Sequence, residues 1–122
     1  MVRAQVGPRK KGGSPPFFCP YINRMYFCYI LYSSKLDRFY KGSTENVESR
    51  VIKHNKGDVT FTSRGRPWTL VWCVAKDNKT DALKLEKKLK NLGRGRIIQF
   101  ILKYHEGMPS PDAAKLIRVL TS

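Results

Sequence analysis

The sequence predicts a single α/β domain in which a small three-stranded antiparallel sheet is flanked by helices. Two short aromatic runs, "YILY" and "FYKG", are separated by a polar break and predict a β-hairpin. A third run, "WTLVWCVA", is rich in β-branched and aromatic residues and predicts another strand. Apolar residues at helical spacing in "DALKLEKKLKNLG" predict a regular amphipathic helix. A chain of 122 residues is long enough for one such domain without disulfides.

The chain is expected to have three parts. Residues 1–24 combine Pro, Gly, Lys and Arg without any period, which predicts either a flexible, disordered basic arm or the product of an upstream translation start. Residues 25–104 hold the predicted strands and most of the helices and form the folded domain. Residues 105–122 are expected to be a helical extension, because Ser110 and Pro111 suit the cap and the first position of a helix.

Within the domain, strands are expected over residues 26–32, 38–42 and 68–75, with Gly42 ending the second strand. Ser43 or Thr44 is predicted to cap the first helix. The apolar stripe of that helix is predicted from Val47, Val51 and Ile52, and Gly57 is predicted to end it in the left-handed conformation. Thr80 is predicted to cap the second helix. The segment "RIIQFILKYH" is expected to form a third helix, although its β-branched start also allows a strand.

Charge and cysteine content restrict the class of protein. The chain has 24 Lys and Arg against 9 Asp and Glu, a net charge of +15; without residues 1–24 the net charge is still +10. Such a basic surface makes nucleic acid the default partner. Three cysteines without C-x-x-C spacing argue against a disulfide framework and against a structural zinc site, and Cys28 and Cys73 fall in apolar runs typical of buried thiols. The longest apolar run, Met25 to Tyr32, is strand-sized, so we expect a cytoplasmic, nucleoid-accessible protein that does not enter a membrane.

Glu86 is a candidate functional residue because it borders the apolar stripe of the second predicted helix. It lies four residues after Ala82 and three before Leu89. A carboxylate at the rim of a core needs a cation, a hydrogen-bond network or a metal. The alternative is a surface acid paired with Lys90 at i+4, which is a common arrangement on helices. Position alone leaves both interpretations open.

Arg50 and His54 are one turn apart on the first helix and share a face. A guanidinium and an imidazole suit the binding of a phosphate, although a solvated helix face explains the same pattern. Tyr29 and Tyr40, one on each strand of the hairpin, are typical of core residues whose hydroxyls reach the rim.

The ordered set resembles a known family. The tripeptides "F-C-Y" and "Y-K-G", which end at Tyr29 and begin at Tyr40, are followed by Arg50, His54 and the helical Glu86. This arrangement resembles the GIY-YIG nuclease superfamily over residues 25–103 or so, and in particular its small stand-alone bacterial branch, which is similar to the catalytic domain of excision-repair nucleases. Three residues of the tripeptides depart from the family pattern: Phe27, Cys28 and Lys41.

The resemblance implies the fold of a GIY-YIG domain and a metal-dependent endonuclease that hydrolyses phosphodiester bonds in DNA, with DNA repair or recombination as its context. Glu86 would hold a single Mg²⁺ or Mn²⁺ ion, and Arg50 would bind the scissile phosphate. Tyr29 would act as general base on water, with His54 among the groups that could take its proton, and Tyr40 would hold the water or the phosphate. Gly42 would have a structural role. The five polar groups are expected to meet on one side of the sheet.

A set of basic residues is expected to contact the nucleic-acid backbone with strong salt dependence: Lys53, Arg64, Arg66, Lys76, Arg94 and Arg96. Trp68 could stack on a base or belong to the core. A protein partner could supply specificity. Two alternatives to the nuclease stay open: a catalytically inactive nucleic-acid-binding module of the same fold, for which the three departures argue, and a small ribosome-associated basic protein.

Overall fold

The structure, a computed structural model, describes residues 25–121, so the predicted basic arm over residues 1–24 lies outside the described part of the chain. Two 3₁₀ turns lie between the regular elements, at Thr60–Gly65 and His105–Gly107. In chain order the strands and helices are β1 Tyr26–Ser33, β2 Arg38–Thr44, α1 Val47–Lys56, β3 Thr69–Lys76, α2 Lys79–Lys90, α3 Arg94–Lys103 and α4 Pro111–Thr121. This arrangement confirms the predicted fold class.

The sheet is antiparallel with the order β2-β1-β3, so β2 is an edge strand. The hairpin pairs Tyr29 with Gly42, and the ladder continues to the pair Phe27 and Thr44. Gly42 therefore lies inside β2, and the prediction that it ends the strand is wrong. The pairing of β1 with β3 shifts register between Ile30 and Leu31, which indicates a bulge.

The sheet separates two apolar clusters because successive strand residues face opposite sides. On one face, Tyr29 and Leu31 pack with Val47 of α1 and with Trp68. Trp68 is only 6% exposed, so it belongs to the core. On the other face the larger cluster combines residues of β1 and β3 with residues of α2, α3 and α4: Cys28, Ile30, Tyr32, Val71, Trp72, Leu89, Ile97, Ile98, Ile101, Ala113 and Ile117. The helix α4 is thus packed into the main core.

Two of the predicted helix caps are wrong. Asn46 caps α1 by accepting a hydrogen bond from the amide of Ser49, and Asn78 caps α2 in the same way through Asp81. Ser43 and Thr44 cannot cap α1 because β2 still contains them. Asn is as good a cap as Ser or Thr, so the choice depended on where the neighbouring element ended.

Other local predictions are confirmed. Gly57 follows α1 in the left-handed conformation with φ of 83°, and Ser110 accepts a hydrogen bond from the amide of Ala113 at the start of α4. Ile52, however, is 53% exposed and does not belong to the apolar stripe of α1. None of the helices between residues 25 and 121 has the length and apolar content that a membrane crossing requires.

Candidate active site

The position of Tyr29 depends on the absence of a side chain at Gly42. The two residues are partners in the hairpin, and a Cβ atom at residue 42 would lie 2.6 Å from the hydroxyl oxygen of Tyr29. The phenol therefore crosses β2 directly over the glycine. The sequence predicts a structural role for Gly42, and the structure shows what that role is. The glycine leaves the space through which the Tyr29 side chain reaches the edge strand.

His54 connects α1 to both the hairpin and the following loop. The hydroxyl of Tyr29 lies 3.1 Å from Nε2, and Nδ1 lies 2.6 Å from Oγ1 of Thr62. The Thr62 hydroxyl donates its proton to the carbonyl of Val59 at 3.3 Å, so it accepts the proton on Nδ1. That assignment leaves Nε2 as an acceptor for the hydroxyl of Tyr29.

The environment of His54 keeps its imidazole uncharged. The side chain is fully buried, which contradicts the interpretation of a solvated helix face at this residue. Burial, and then the charge of Arg50, lower the pKa of His54 to about 4. Burial also raises the pKa of Tyr29 well above its usual range, an effect that the hydrogen-bonding influence of Arg50 opposes. A neutral phenol therefore donates to a neutral imidazole at physiological pH.

Arg50 offers an unsatisfied donor beside the two tyrosines. Its Nε is buried, and within residues 25–121 it is the one buried side-chain nitrogen or oxygen without a hydrogen-bond partner. The neighbouring phenol of Tyr29 raises the pKa of Arg50, so the guanidinium stays charged. An unpartnered buried donor costs about 1–3 kcal/mol, and an anionic oxygen placed there would remove that cost.

Tyr40 lies at the mouth of this cluster and is partly exposed. Its ring centroid is 4.8 Å from the ring of His54 and 6.3 Å from the ring of Tyr29. Trp68 and Phe61 lie on other sides of the same ring, at 6.3 Å and 6.2 Å. Aromatic packing thus fixes the ring of Tyr40, while its partial exposure leaves it accessible to a ligand.

Glu86 makes two interactions through its two oxygens. Oε1 accepts a hydrogen bond from the hydroxyl of Ser43 at 2.6 Å, and Oε2 pairs with Nζ of Lys90 at 2.7 Å. The Glu86 side chain is 15% exposed and that of Lys90 is 55% exposed. The i+4 pair that the sequence left open is therefore present, together with a contact to β2 that helical spacing could not show.

The expectation that all five polar groups lie on one side of the sheet is wrong. The helix that carries Glu86 packs Leu89 against the opposite face, and Ser43 points away from the face of Gly42. Glu86 nevertheless raises the pKa of both Cys28 and Tyr29, which face opposite sides. Glu86 therefore lies against the edge strand β2 through Ser43, and its charge acts on Tyr29 from the other face of the sheet.

The residues present fit a single hard cation bound by one carboxylate. Among residues 25–121 no three His, Cys, Asp or Glu side chains come together as a potential metal cage. Mg²⁺ commonly takes one or two carboxylates and completes its shell with waters and substrate phosphates. Glu86 and the adjacent hydroxyl of Ser43 match that donor set, provided that the exposed Lys90 moves away from Oε2.

The six predicted nucleic-acid contacts do not form one patch. Lys53 and Arg64 are exposed on α1 and the 3₁₀ turn beside the site, and Arg96 is exposed on α3. Arg66 donates to the carbonyls of Ser63 and Lys56, and Arg94 pairs with Asp37 in the hairpin turn. Lys76 pairs with Tyr26 at the far end of β1 from that turn, so it and Arg94 lie at opposite ends of the sheet.

Two contributors to the site were missed from the sequence. Thr62 holds His54, and Ser43 holds Glu86. Neither had a local signal, because their contacts connect different elements of the fold. Lys90, which neutralises the same carboxylate, was named from its i+4 spacing.

Burial also explains the cysteines and the departures at the first tripeptide. Phe27 and Cys28 are both fully buried in β1 and pack into the two core clusters. Burial raises the pKa of the Cys28 and Cys73 thiols to about 12 each, so both stay protonated. These residues contribute packing rather than chemistry, as the sequence predicted for the two thiols.

A family model described as the GIY-YIG catalytic domain matches residues 25–97. The UPF0213 protein of Pediococcus pentosaceus is 36% identical over 85 residues, which cover 69% of this chain and 87% of that protein. The UPF0213 protein of Clostridium perfringens is 37% identical over 78 residues, which cover 63% of this chain and 83% of that protein.

A solved structure is also similar. The solution NMR structure of a UPF0213 protein from Bacillus halodurans has 29% identity and a TM-score of 0.45, and the match covers 73% of this chain and 90% of that chain. The residues matched by the family model span all five candidate catalytic side chains.

Proposed function

This chain belongs to the GIY-YIG family, and we propose that it is a metal-dependent endonuclease that hydrolyses phosphodiester bonds in DNA. The observation that carries this proposal is the hydrogen bond from Tyr29 to a buried, uncharged His54. A surface that only binds nucleic acid does not need an uncharged imidazole that accepts the proton of a tyrosine. A site that activates water does need such a base. DNA repair or recombination is the context in which we place the activity, in the cytoplasm.

Proton transfer in this proposal runs from water to Tyr29 and from Tyr29 to Nε2 of His54. The water loses a proton as its oxygen forms a bond to phosphorus, and the bond from phosphorus to the leaving oxygen breaks. In the free protein the step is unfavourable, because the pKa of Tyr29 is raised and that of His54 is lowered. A bound phosphate would offset the charge of Arg50, which lowers the pKa of His54 less than burial does, and so would raise the pKa of the accepting imidazole. It would also weaken the influence of Arg50 that lowers the pKa of Tyr29.

Arg50 is the proposed phosphate-binding group. Its buried Nε has no partner in the described part of the chain, so a phosphate oxygen would complete its hydrogen bonding. The guanidinium would then offset the negative charge that develops on the phosphate during attack. Tyr40, whose ring packs on His54, would hold the attacking water or a phosphate oxygen through its hydroxyl.

Glu86 is the proposed ligand for the divalent ion that GIY-YIG nucleases generally use, with Mg²⁺ or Mn²⁺ as the ion. When bound, the ion would supply Lewis-acid stabilisation of the phosphate and of the leaving oxygen. Ser43 would orient the carboxylate by donating to Oε1, and Lys90 would balance its charge when no ion is bound.

The alternative is a catalytically inactive nucleic-acid-binding module of the same fold. One observation favours it: both oxygens of Glu86 already have partners, so the acid is satisfied without a metal. Under this alternative the basic residues would bind nucleic acid, but substitution of Tyr29 or Glu86 would leave the only measurable function intact.

The test is cleavage of end-labelled linear, nicked and branched DNA with Mg²⁺, Mn²⁺ or EDTA. Tyr29→Phe and Glu86→Gln remove the proposed base and the metal ligand with little change in shape. Tyr32→Phe is the matched control for the first, since Tyr32 donates to Asp37 on the other face of β1. Glu106→Gln is the control for the second, because Glu106 is exposed in the second 3₁₀ turn.

We expect metal-dependent cleavage that both site variants lose and both controls keep. Removal of a general base or a metal ligand should reduce the rate by about 10²-fold or more. Salt-sensitive binding without cleavage of any substrate would support the binding module instead. Cleavage that survives Glu86→Gln would contradict the proposed metal ligand.

A further inference from the structure

The 3₁₀ turn Thr60–Gly65 presents different residues on its different sides. Side chains three residues apart are eclipsed in this conformation, so Thr62 and Gly65 share one side and Phe61 and Arg64 share another. Thr62 and Gly65 are both buried, whereas Phe61 and Arg64 are both exposed. The turn therefore displays an aromatic ring next to a guanidinium.

The exposure of Phe61 is unusually complete. Its side chain is 87% exposed, the highest value for any large hydrophobic residue between residues 25 and 121. Burial of a phenylalanine is worth about 1.5–3 kcal/mol, so the fold gives up that stabilisation at this residue.

The turn is held firmly, so the exposure does not result from a loose loop. Thr62 accepts from His54, and its carbonyl accepts a hydrogen bond from Nε1 of Trp68 at 2.7 Å. Gly65 packs so closely on Trp68 that a Cβ atom would lie 2.5 Å from its ring. Arg66 closes the turn by donating to the carbonyl of Ser63 at 2.8 Å. These contacts leave the Phe61 ring outside as a defined feature of the surface.

Phe61 is also next to the candidate active site. Its ring centroid lies 6.2 Å from that of Tyr40, with the planes inclined at 51°, and Tyr40 packs on His54. Only one aromatic ring therefore separates Phe61 from the hydrogen bond between His54 and Tyr29. Arg50, the proposed phosphate-binding group, interacts with the same Tyr40, so Phe61 and Arg50 share a neighbour at the mouth of the site.

We infer that Phe61 is a stacking platform for an unpaired nucleobase beside the scissile phosphate, with Arg64 contacting the adjacent backbone. Aromatic rings bind single-stranded nucleic acid in this way, at about 1–3 kcal/mol per stacked base. Bases within an intact duplex are already stacked on their neighbours and cannot occupy such a platform. The preferred substrate therefore has single-stranded or unpaired nucleotides at the cleavage position, a conclusion that rests on the proposed nuclease function.

Binding measured in EDTA tests the stacking without any cleavage. Fluorescence anisotropy would compare a short labelled single strand, the same strand with one abasic position moved along it, an RNA strand of the same sequence, and the fully paired duplex. The variants are Phe61→Ala and Phe61→Trp. Ile52→Ala is the matched control, because Ile52 is also an exposed apolar residue of the same region and is 53% exposed.

We expect Phe61→Ala to weaken binding of the single strand by about 5- to 150-fold, the equivalent of one stacked base, and to leave duplex binding unchanged. Phe61→Trp should keep the affinity, and its indole fluorescence should be quenched by the single strand. A strand with one abasic position, placed where the stacked base would lie, should bind the unsubstituted protein as weakly as the intact strand binds Phe61→Ala. Because Phe61 is exposed, all variants should keep the unsubstituted melting temperature.

Two results for Phe61→Ala would overturn the inference: an equal loss of affinity for single strand and duplex, or no loss of affinity for either. If Phe61 instead belonged to a surface for a protein partner, there would be no loss of affinity for either. Cleavage assays with metal separate this outcome from failure of the proposed function. Cleavage that is indifferent to Phe61 keeps the nuclease and refutes the platform. Single-strand binding that depends on Phe61, without cleavage of any strand, keeps the platform and refutes the nuclease.

Discussion

Gly42 and Tyr29 face each other across the hairpin, and the space of the missing glycine side chain is the space in which the tyrosine phenol lies. From that position the phenol hydrogen-bonds to His54. The relationship explains why a strand interior tolerates a glycine, which costs conformational entropy: the residue admits the side chain of its neighbour to the site.

Gly42→Ala should therefore remove activity by displacing the tyrosine. The new Cβ atom would lie 2.6 Å from the Tyr29 hydroxyl, so the ring must move and its hydrogen bond to His54 must break. We expect cleavage to fall at least as far as in Tyr29→Phe, with a loss of about 1–3 kcal/mol in the free energy of unfolding from overpacking. Activity assays and urea unfolding would measure the two effects.

Gly95→Ala is the matched control for this substitution. Gly95 lies in α3, and a Cβ atom there would meet no atom within 4 Å. The same chemical change should raise stability by up to about 1 kcal/mol and leave activity unaltered. Full activity in Gly42→Ala would show that the position of the phenol is unimportant.

The low pKa of His54 predicts a loss of stability in acid. The folded value is about 4, whereas an unfolded histidine titrates near 6.5. Between these values the unfolded chain binds a proton that the folded chain does not, so stability falls as the pH decreases through this window and the effect levels off below pH 4 or so. The loss should reach about 3 kcal/mol in urea unfolding experiments.

His54→Gln should abolish this component of the pH dependence, because glutamine does not titrate. His105→Gln is the control, since His105 is exposed in the second 3₁₀ turn and should keep the unsubstituted profile. An identical pH dependence of the unfolding free energy in the unsubstituted protein and in His54→Gln would contradict the assigned environment.

Lys90 should compete with a divalent ion for Glu86. Its ammonium group lies 2.7 Å from Oε2, the hydrogen bond to Glu86 raises the pKa of Lys90, and the side chain is 55% exposed and free to leave. Lys90→Met should therefore tighten binding of Mn²⁺ several-fold, measured by calorimetry or electron paramagnetic resonance without substrate. Lys87→Met removes the same charge from an exposed residue of α2 and should leave Mn²⁺ binding unaltered. If Lys90→Met and Lys87→Met tightened Mn²⁺ binding equally, Lys90 would act only as one more nearby positive charge, and its contact with Glu86 would be unimportant.

The basic residues should differ in their contributions to the salt dependence of nucleic-acid binding. Arg64 is exposed beside the site, so Arg64→Ala should reduce the slope of log K against log salt by about 0.7–0.9, the equivalent of one phosphate contact. Arg94→Ala should change the slope less, because three hydrogen-bond contacts already engage its guanidinium with the Asp37 carboxylate. Anisotropy titrations at several salt concentrations measure both slopes. A larger change of slope in Arg94→Ala than in Arg64→Ala would place the substrate at the hairpin turn.

Local pattern was enough to predict the elements of the fold. Alternation and apolar runs predicted the three strands, and helical spacing predicted α2, because these features depend on residues close together in the chain. Element ends were less predictable. Asn46 caps α1 in place of Ser43 or Thr44 because β2 extends to Thr44. Asn78 caps α2 in place of Thr80, because α2 already begins at Lys79.

For the candidate site, too, some features follow from the sequence and others only from the packing of the fold. The order of Tyr29, Tyr40, Arg50, His54 and Glu86 and the elements that carry them follow from the chain. Packing alone decided that His54 is buried and uncharged, that Glu86 contacts Ser43 of β2, and that Phe61 remains exposed beside Tyr40. Burial, pKa values and hydrogen bonds between elements depend on contacts between residues far apart in the chain, and no spacing along the chain encodes them.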